Sequence, residues 1–156
     1  MVQIMPVGSE TNVEDALTLD IAQTNATGFA YCDYSLGFAA TTDNASRLSA
    51  ELISAARTLF IPFDALSAAS KKVSAIAAYF SAWPANKPIV TDAKTTDLAS
   101  VLLLASLHGR SVHVTNVQSQ DDIALIALSK DKDLNVTCDV SIYSLFLNRT
   151  TYPLAT

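Results

Sequence analysis

Few side chains in this sequence have the chemistry to attack a substrate, bind a metal or move a proton. Their spacing limits what they can do. There are two histidines, His108 and His113. Neither belongs to an HxH or HExxH pair, so no zinc site built by this chain alone is expected. No GxSxG elbow presents a serine nucleophile, and neither histidine is placed to act as its base. GxGxxG and GxxxxGK[ST] do not occur, which weakens the dinucleotide and nucleoside-triphosphate readings. Asp64 and Asp92 suggest a hydrolytic carboxylate pair, but Asp64 falls past the end of its predicted strand. Cys32 and Cys138 are far apart and have no CxxC partner. Both sit in apolar runs and are expected to be small buried residues.

These groups must be positioned by an alternation of short apolar strands and amphipathic helices. Strands are predicted at 2–6, 29–38, 58–63, 88–92, 111–117 and 135–140. Helices are predicted at 12–24, 44–56, 67–82, 95–108 and 119–131. Thr42 or Asp43 is the expected cap of the second helix, and Gly109 is expected to end the fourth. Lys71 and Lys72 read as a solvated helix face. The segment 143–156 reads as irregular or as a short helix.

Short connections between alternating elements imply an α/β fold whose parallel strands are joined by helical crossovers. Six strands and five helices make either a doubly wound sheet or a partial TIM-type (β/α) barrel. A complete barrel needs about 250 residues, so this chain would supply about three quarters of the strands. In both architectures function sits at the carboxyl ends of the strands. Those ends are predicted at Pro6/Val7, Gly37/Phe38, Pro62/Phe63, Asp92, Asn116 and Val140/Ser141, with Asp92 as the only charged residue. His108 lies at a helix end, where a cation complements the dipole. His113 is three positions before Asn116. A period of two therefore puts it on the opposite face, toward the helices and in a packing role.

The composition excludes several classes. The chain has 156 residues, half of them apolar, and a net charge of −5. That suits one domain with a real core and argues against nucleic acid as a partner. The run Val101 to Leu107 is too short to span a bilayer. MVQIMPVGSE lacks the basic and apolar regions of a secretory signal, so a cytoplasmic location is expected. The Asn-x-Ser/Thr triplets at Asn25, Asn44, Asn135 and Asn148 then read as chance.

RSVHV (110–114), DDIALIALSKDKDLNVTCDV (121–140) and SLFL (144–147), taken in order, resemble the dihydroorotase domain of the large pyrimidine-synthesis polyproteins. The resemblance extends through AYCDYSLGF (30–38), the WP at 83–84 and PIVTDAK (88–94), and reaches Met5-Pro6. That family is an amidohydrolase on a TIM-type barrel. It holds strand-end metals with an HxH pair, a carboxylated lysine, two later histidines and a late aspartate. Carried over, the resemblance puts the lysine on Leu59, the first later histidine on Asp92 and the second on Asn116. The HxH strand would precede Met1 and the late aspartate would follow Thr156. An isobutyl group cannot bridge two cations, and a neutral amide suits hard ions rather than zinc.

The resemblance therefore implies an inactive dihydroorotase-like domain of the fungal type, with no catalytic, cofactor or metal residues. Residues 1–156 would form one segment of the barrel. Its implied role is a structural linker between carbamoyl-phosphate synthetase and aspartate transcarbamoylase. Its implied partners are the rest of the barrel, those flanking enzymes and further copies of itself, without nucleic acid or membrane. Two alternatives stand beside it: a small-molecule binding or regulatory module using the old pocket, and a hydrolase with a site rebuilt around Asp92.

Overall fold

A computed structural model describes residues 2–4, 12–41, 43–62 and 72–143, without the side chains of 2–4, 72, 73 and 75. The strands are β1 (Val2–Ile4), β2 (Tyr34–Ala39), β3 (Thr58–Ile61), β4 (Ile89–Thr91), β5 (Val112–Val114) and β6 (Val136–Cys138). They form one six-stranded sheet in chain order, and every neighbouring pair is parallel. Between them lie α1 (Ala16–Phe29), α2 (Ala50–Ala55), α3 (Lys72–Ala82), α4 (Thr95–Leu107) and α5 (Gln120–Asp131). Six parallel strands and five helices match the expected architecture.

Register sorts the two faces of the sheet. Phe38, Leu59, Ile89, Val112 and Val136 form one row across β2 to β6. All five belong to a single core cluster with Tyr79, Phe80 and Trp83 of the α3 region and Leu98, Val101 and Ala105 of α4. Phe38 stacks on Trp83 with ring centroids 6.4 Å apart, so this row faces the helices. The neighbouring row of Ala39, Phe60, Val90, His113 and Thr137 faces the other way, into what is here called the inner face. Each large side chain buried on the helical side contributes about 1.5–3 kcal/mol.

The helix ends are set by side chains that satisfy open backbone groups. Asp15 caps α1 by accepting from the Thr18 N–H at 2.8 Å. The Thr18 hydroxyl returns a bond to the cap, so α1 starts at Ala16 rather than at 12, and it continues to Phe29. The predicted helix 44–56 divides. Asn44 is buried, and its amide donates to the carbonyls of Ala39 and Glu14. This draws 44–47 into a 3-10 turn, after which Ser49, not Asp43, caps α2. Arg110 is also buried: its guanidinium donates to the carbonyls of Phe80 at 2.9 Å, Trp83 at 2.5 Å and Pro84 at 2.7 Å. It thereby closes the end of α3. His108 occupies the C-cap of α4, and Gly109 follows in the left-handed region at φ +59°, as its position past the helix suggested.

Two expectations fail here. Cys32 and Cys138 are exposed free thiols, not buried residues. Because α1 continues to Phe29, Cys32 falls in a bend before β2. Cys138 lies on the outermost described strand, where no neighbouring strand covers it. Asp64, Lys71, residues 67–71 of the third predicted helix, Met5-Pro6, Thr42 and Asn148 lie outside the described residues, as does the Lys72 side chain.

Candidate functional site

The carboxyl ends of β3, β4, β5 and β6 lie side by side, and the inner-face residues there define the candidate site. Asp92 follows β4 and is half-buried. Asn116 follows β5 on the neighbouring strand. The two segments are tied by the Thr115 N–H donating to the Thr91 carbonyl at 2.8 Å. Asn116 itself has left the strand, with φ at +57°, a conformation asparagine tolerates better than most residues. Its side-chain oxygen accepts from the Gln118 amide at 3.0 Å. Asp92 and Asn116 therefore belong to adjacent strand ends, as anticipated.

Leu59 does not join them. Its register partners are Phe38 and Ile89, and it is fully buried in the helix-facing core. Alternation along β3 puts Thr58 and Phe60 on the inner face instead. The position that the resemblance assigns to the bridging lysine thus carries an aliphatic side chain packed in that core. The inner-face residue beside it is Thr58, which is buried. A threonine has no amine to carboxylate, so the chemical consequence is the same.

His113 also needs correction. Val112 and Val114, its neighbours in β5, are buried in the helical core, so His113 points to the inner face and keeps 33% side-chain exposure. Counting back from Asn116 gave the wrong face because the strand ends before Asn116. The ring bridges two residues of β6. Its Nδ1 lies 2.8 Å from the Thr137 hydroxyl, and its Nε2 lies 3.0 Å from an Asp139 carboxylate oxygen.

Asp139 is the hub of this cluster. It accepts from the Asn116 backbone N–H at 2.7 Å and from the Thr115 hydroxyl at 3.0 and 3.1 Å. An ionised carboxylate only accepts, so His113 donates from Nε2. Partial burial pushes the Asp139 carboxyl up. The Asn116 N–H, His113 and Thr115 together outweigh it, and the group sits below the usual carboxylate range. All four contacts run within the protein. The cluster pins β5 to β6 and holds the left-handed turn at Asn116, which leaves it little capacity to ligate a metal. Sequence reasoning missed Asp139, although the valines flanking His113 and the Thr137-x-Asp139 alternation both signal a polar inner face.

No family model matches the chain. It is 54% identical over 155 residues to the multifunctional protein pyrABCN of Emericella nidulans, covering 99% of this chain and 7% of that protein. The solved inactive dihydroorotase-like domain of the Chaetomium thermophilum CAD-like multifunctional protein superposes with a TM-score of 0.91 at 50% identity. That match covers 99% of this chain and 45% of that one. The chain belongs to the dihydroorotase-like domains of multifunctional pyrimidine proteins. A D-hydantoinase structure shares the fold at 10% identity, with a TM-score of 0.72 over 90% of this chain and 39% of that one. The six parallel strands are accordingly part of an amidohydrolase-type barrel. This dihydroorotase-like segment spans less than half of the solved relative and a small fraction of the multifunctional protein.

Proposed function

We propose that this chain is part of a catalytically inactive dihydroorotase-like domain that acts as a structural linker in a multifunctional pyrimidine-synthesis protein. It would space and orient carbamoyl-phosphate synthetase and aspartate transcarbamoylase. The observation that carries this reading is the donor set at the strand ends. β3 offers Thr58 and Phe60 to the inner face, while Asp92 and Asn116 follow β4 and β5. A binuclear hydrolytic centre needs a bridging anion and several charged or imidazole ligands to generate hydroxide near neutral pH. Asp92, one neutral amide and one hydroxyl do not make such a set, and the second carboxylate, Asp139, is already held by the Asn116 N–H, Thr115 and His113. His113, the only histidine on this face among the described residues, is committed to Asp139 and Thr137.

In this reading residues 1–156 are one segment of the barrel domain, and the strand that carries the metal-binding HxH pair in the family lies outside it. The outermost strands, β1 and β6, would pair with further strands of the same barrel, and the flanking enzymes would share the polypeptide in the cytoplasm. The exposed Val140, Ile142 and Tyr143 just past β6 favour coverage there. Among the described residues no helix is long and apolar enough to cross a membrane.

Tethering raises the local concentration of the two flanking enzymes and favours transfer of labile carbamoyl phosphate between them. Deleting the domain from the multifunctional protein is expected to lower coupled flux from bicarbonate to carbamoyl aspartate at equal enzyme levels. Unchanged flux would remove the linker role.

A further inference from the structure

A second polar site lies at the opposite end of the sheet. A cleft of about 440 Å³ opens between the C-terminal parts of α1 and α2, at the amino-terminal ends of β2 and β3. Its lining includes Gln23, Thr27, Tyr34, Ser54 and Arg57. The volume falls within the range of small-molecule sites. Arg57 is the only charged residue of the lining, which contains no carboxylate. Among the described residues its guanidinium has no hydrogen-bond or ion-pair partner.

Helix C-termini present carbonyl oxygens, and an arginine beside one would ordinarily be consumed in capping it. Here Lys87 takes that role for α2. Its ammonium donates to the carbonyls of Ile53 and, at 2.7 Å, of Ala56. Burial, and secondarily the positive charge of Arg57, hold Lys87 below its ordinary value, so the two cations sense each other across this corner. The Thr27 hydroxyl donates to the Gln23 carbonyl and lies 3.0 Å from the Tyr34 hydroxyl. The Tyr34 hydroxyl therefore donates to Thr27, and the cleft combines an unpartnered guanidinium, a second cation nearby, and the Gln23 amide and Ser54 hydroxyl on the two helices.

We infer that this cleft between α1 and α2 binds a small tetrahedral oxyanion, either inorganic phosphate or the phosphate group of a metabolite, with Arg57 as its charged anchor. Arginine pairs with phosphate through two parallel N–H donors, and Ser54 and Gln23 supply neutral ones from either wall. The site is remote from the carboxyl ends of the strands and independent of the linker role.

The test uses the dihydroorotase-like domain expressed at the length of the solved Chaetomium thermophilum relative. Inorganic phosphate and a phosphorylated sugar are titrated by calorimetry, with acetate as comparator at matched ionic strength. Saturable phosphate binding is expected, weakened about tenfold or more by Arg57→Gln. Ser54→Asp, which puts a negative charge into the cleft, should abolish it, and Lys130→Ala on α5 should leave it unchanged. Tighter binding of the sugar phosphate than of free phosphate would assign the natural ligand to a metabolite, and the reverse order would assign it to the free anion. No saturable binding of either up to about 20 mM, well above a millimolar dissociation constant, would overturn the inference. So would Arg57→Gln binding as tightly as the natural sequence.

Discussion

The two faces of the sheet use the same strands for opposite ends. On the helical side the row of Phe38, Leu59, Ile89, Val112 and Val136 joins one apolar core with α3 and α4, where Trp83, Tyr79 and Phe80 are sealed in. On the inner side the same strands carry Thr58, His113, Thr115, Thr137 and Asp139. There the polar contacts of β5 and β6 are made among themselves rather than left open for a ligand. The helix-facing layer keeps a buried apolar core, while the polar groups at the ends of β5 and β6 bond to one another.

The sharpest way to break that contrast is to place one lysine on either face. Leu59→Lys buries an unpaired ammonium in the helical core and is expected to prevent folding or cost more than about 4 kcal/mol. Thr137→Lys, at an exposed inner-face position on β6, should cost several kcal/mol less by chemical denaturation. Equal losses would mean that the two faces do not differ in this way. Next in size, Trp83→Ala removes the Phe38 stacking partner and should cost about 3–5 kcal/mol. Arg110→Met leaves the carbonyls of Phe80, Trp83 and Pro84 without their donor and should cost about 2–3 kcal/mol, read as a lower denaturation midpoint at unchanged slope.

The smallest effect is at the inner cluster. Asp139 is held below its ordinary range in the fold, so its contribution is fully present above the unfolded value of about 3.9. That contribution fades as pH falls through the lower folded value. Asp139→Asn should therefore reduce stability at pH 7 by about 1 kcal/mol or less and flatten the acid limb of the stability curve. An unchanged acid limb would show that the carboxylate is not held by these donors.

Much of the layer structure was legible because apolar spacing reports burial directly. The alternation of short apolar runs with helical periods yielded six strands, five helices and the strand-end location of Asp92 and Asn116. What escaped was local. Asn44 spends its side chain on the carbonyls of Ala39 and Glu14, which splits a helix that periodicity alone makes continuous. Asn116 turns left-handed, and counting by two through it reversed the face of His113. That Leu59 packs against the helices also escaped, because a position carried over by resemblance does not say which face of the sheet it takes. Asp139 was passed over because the strand was extended past it to Val140.

The central claim is that the strand ends hold no working metal centre. It is tested most directly by metal analysis of the purified dihydroorotase-like domain combined with a dihydroorotate ring-opening assay. The account predicts zinc well below one equivalent and no turnover above the uncatalysed rate. Stoichiometric zinc together with ring opening that Asp92→Ala abolishes would contradict it.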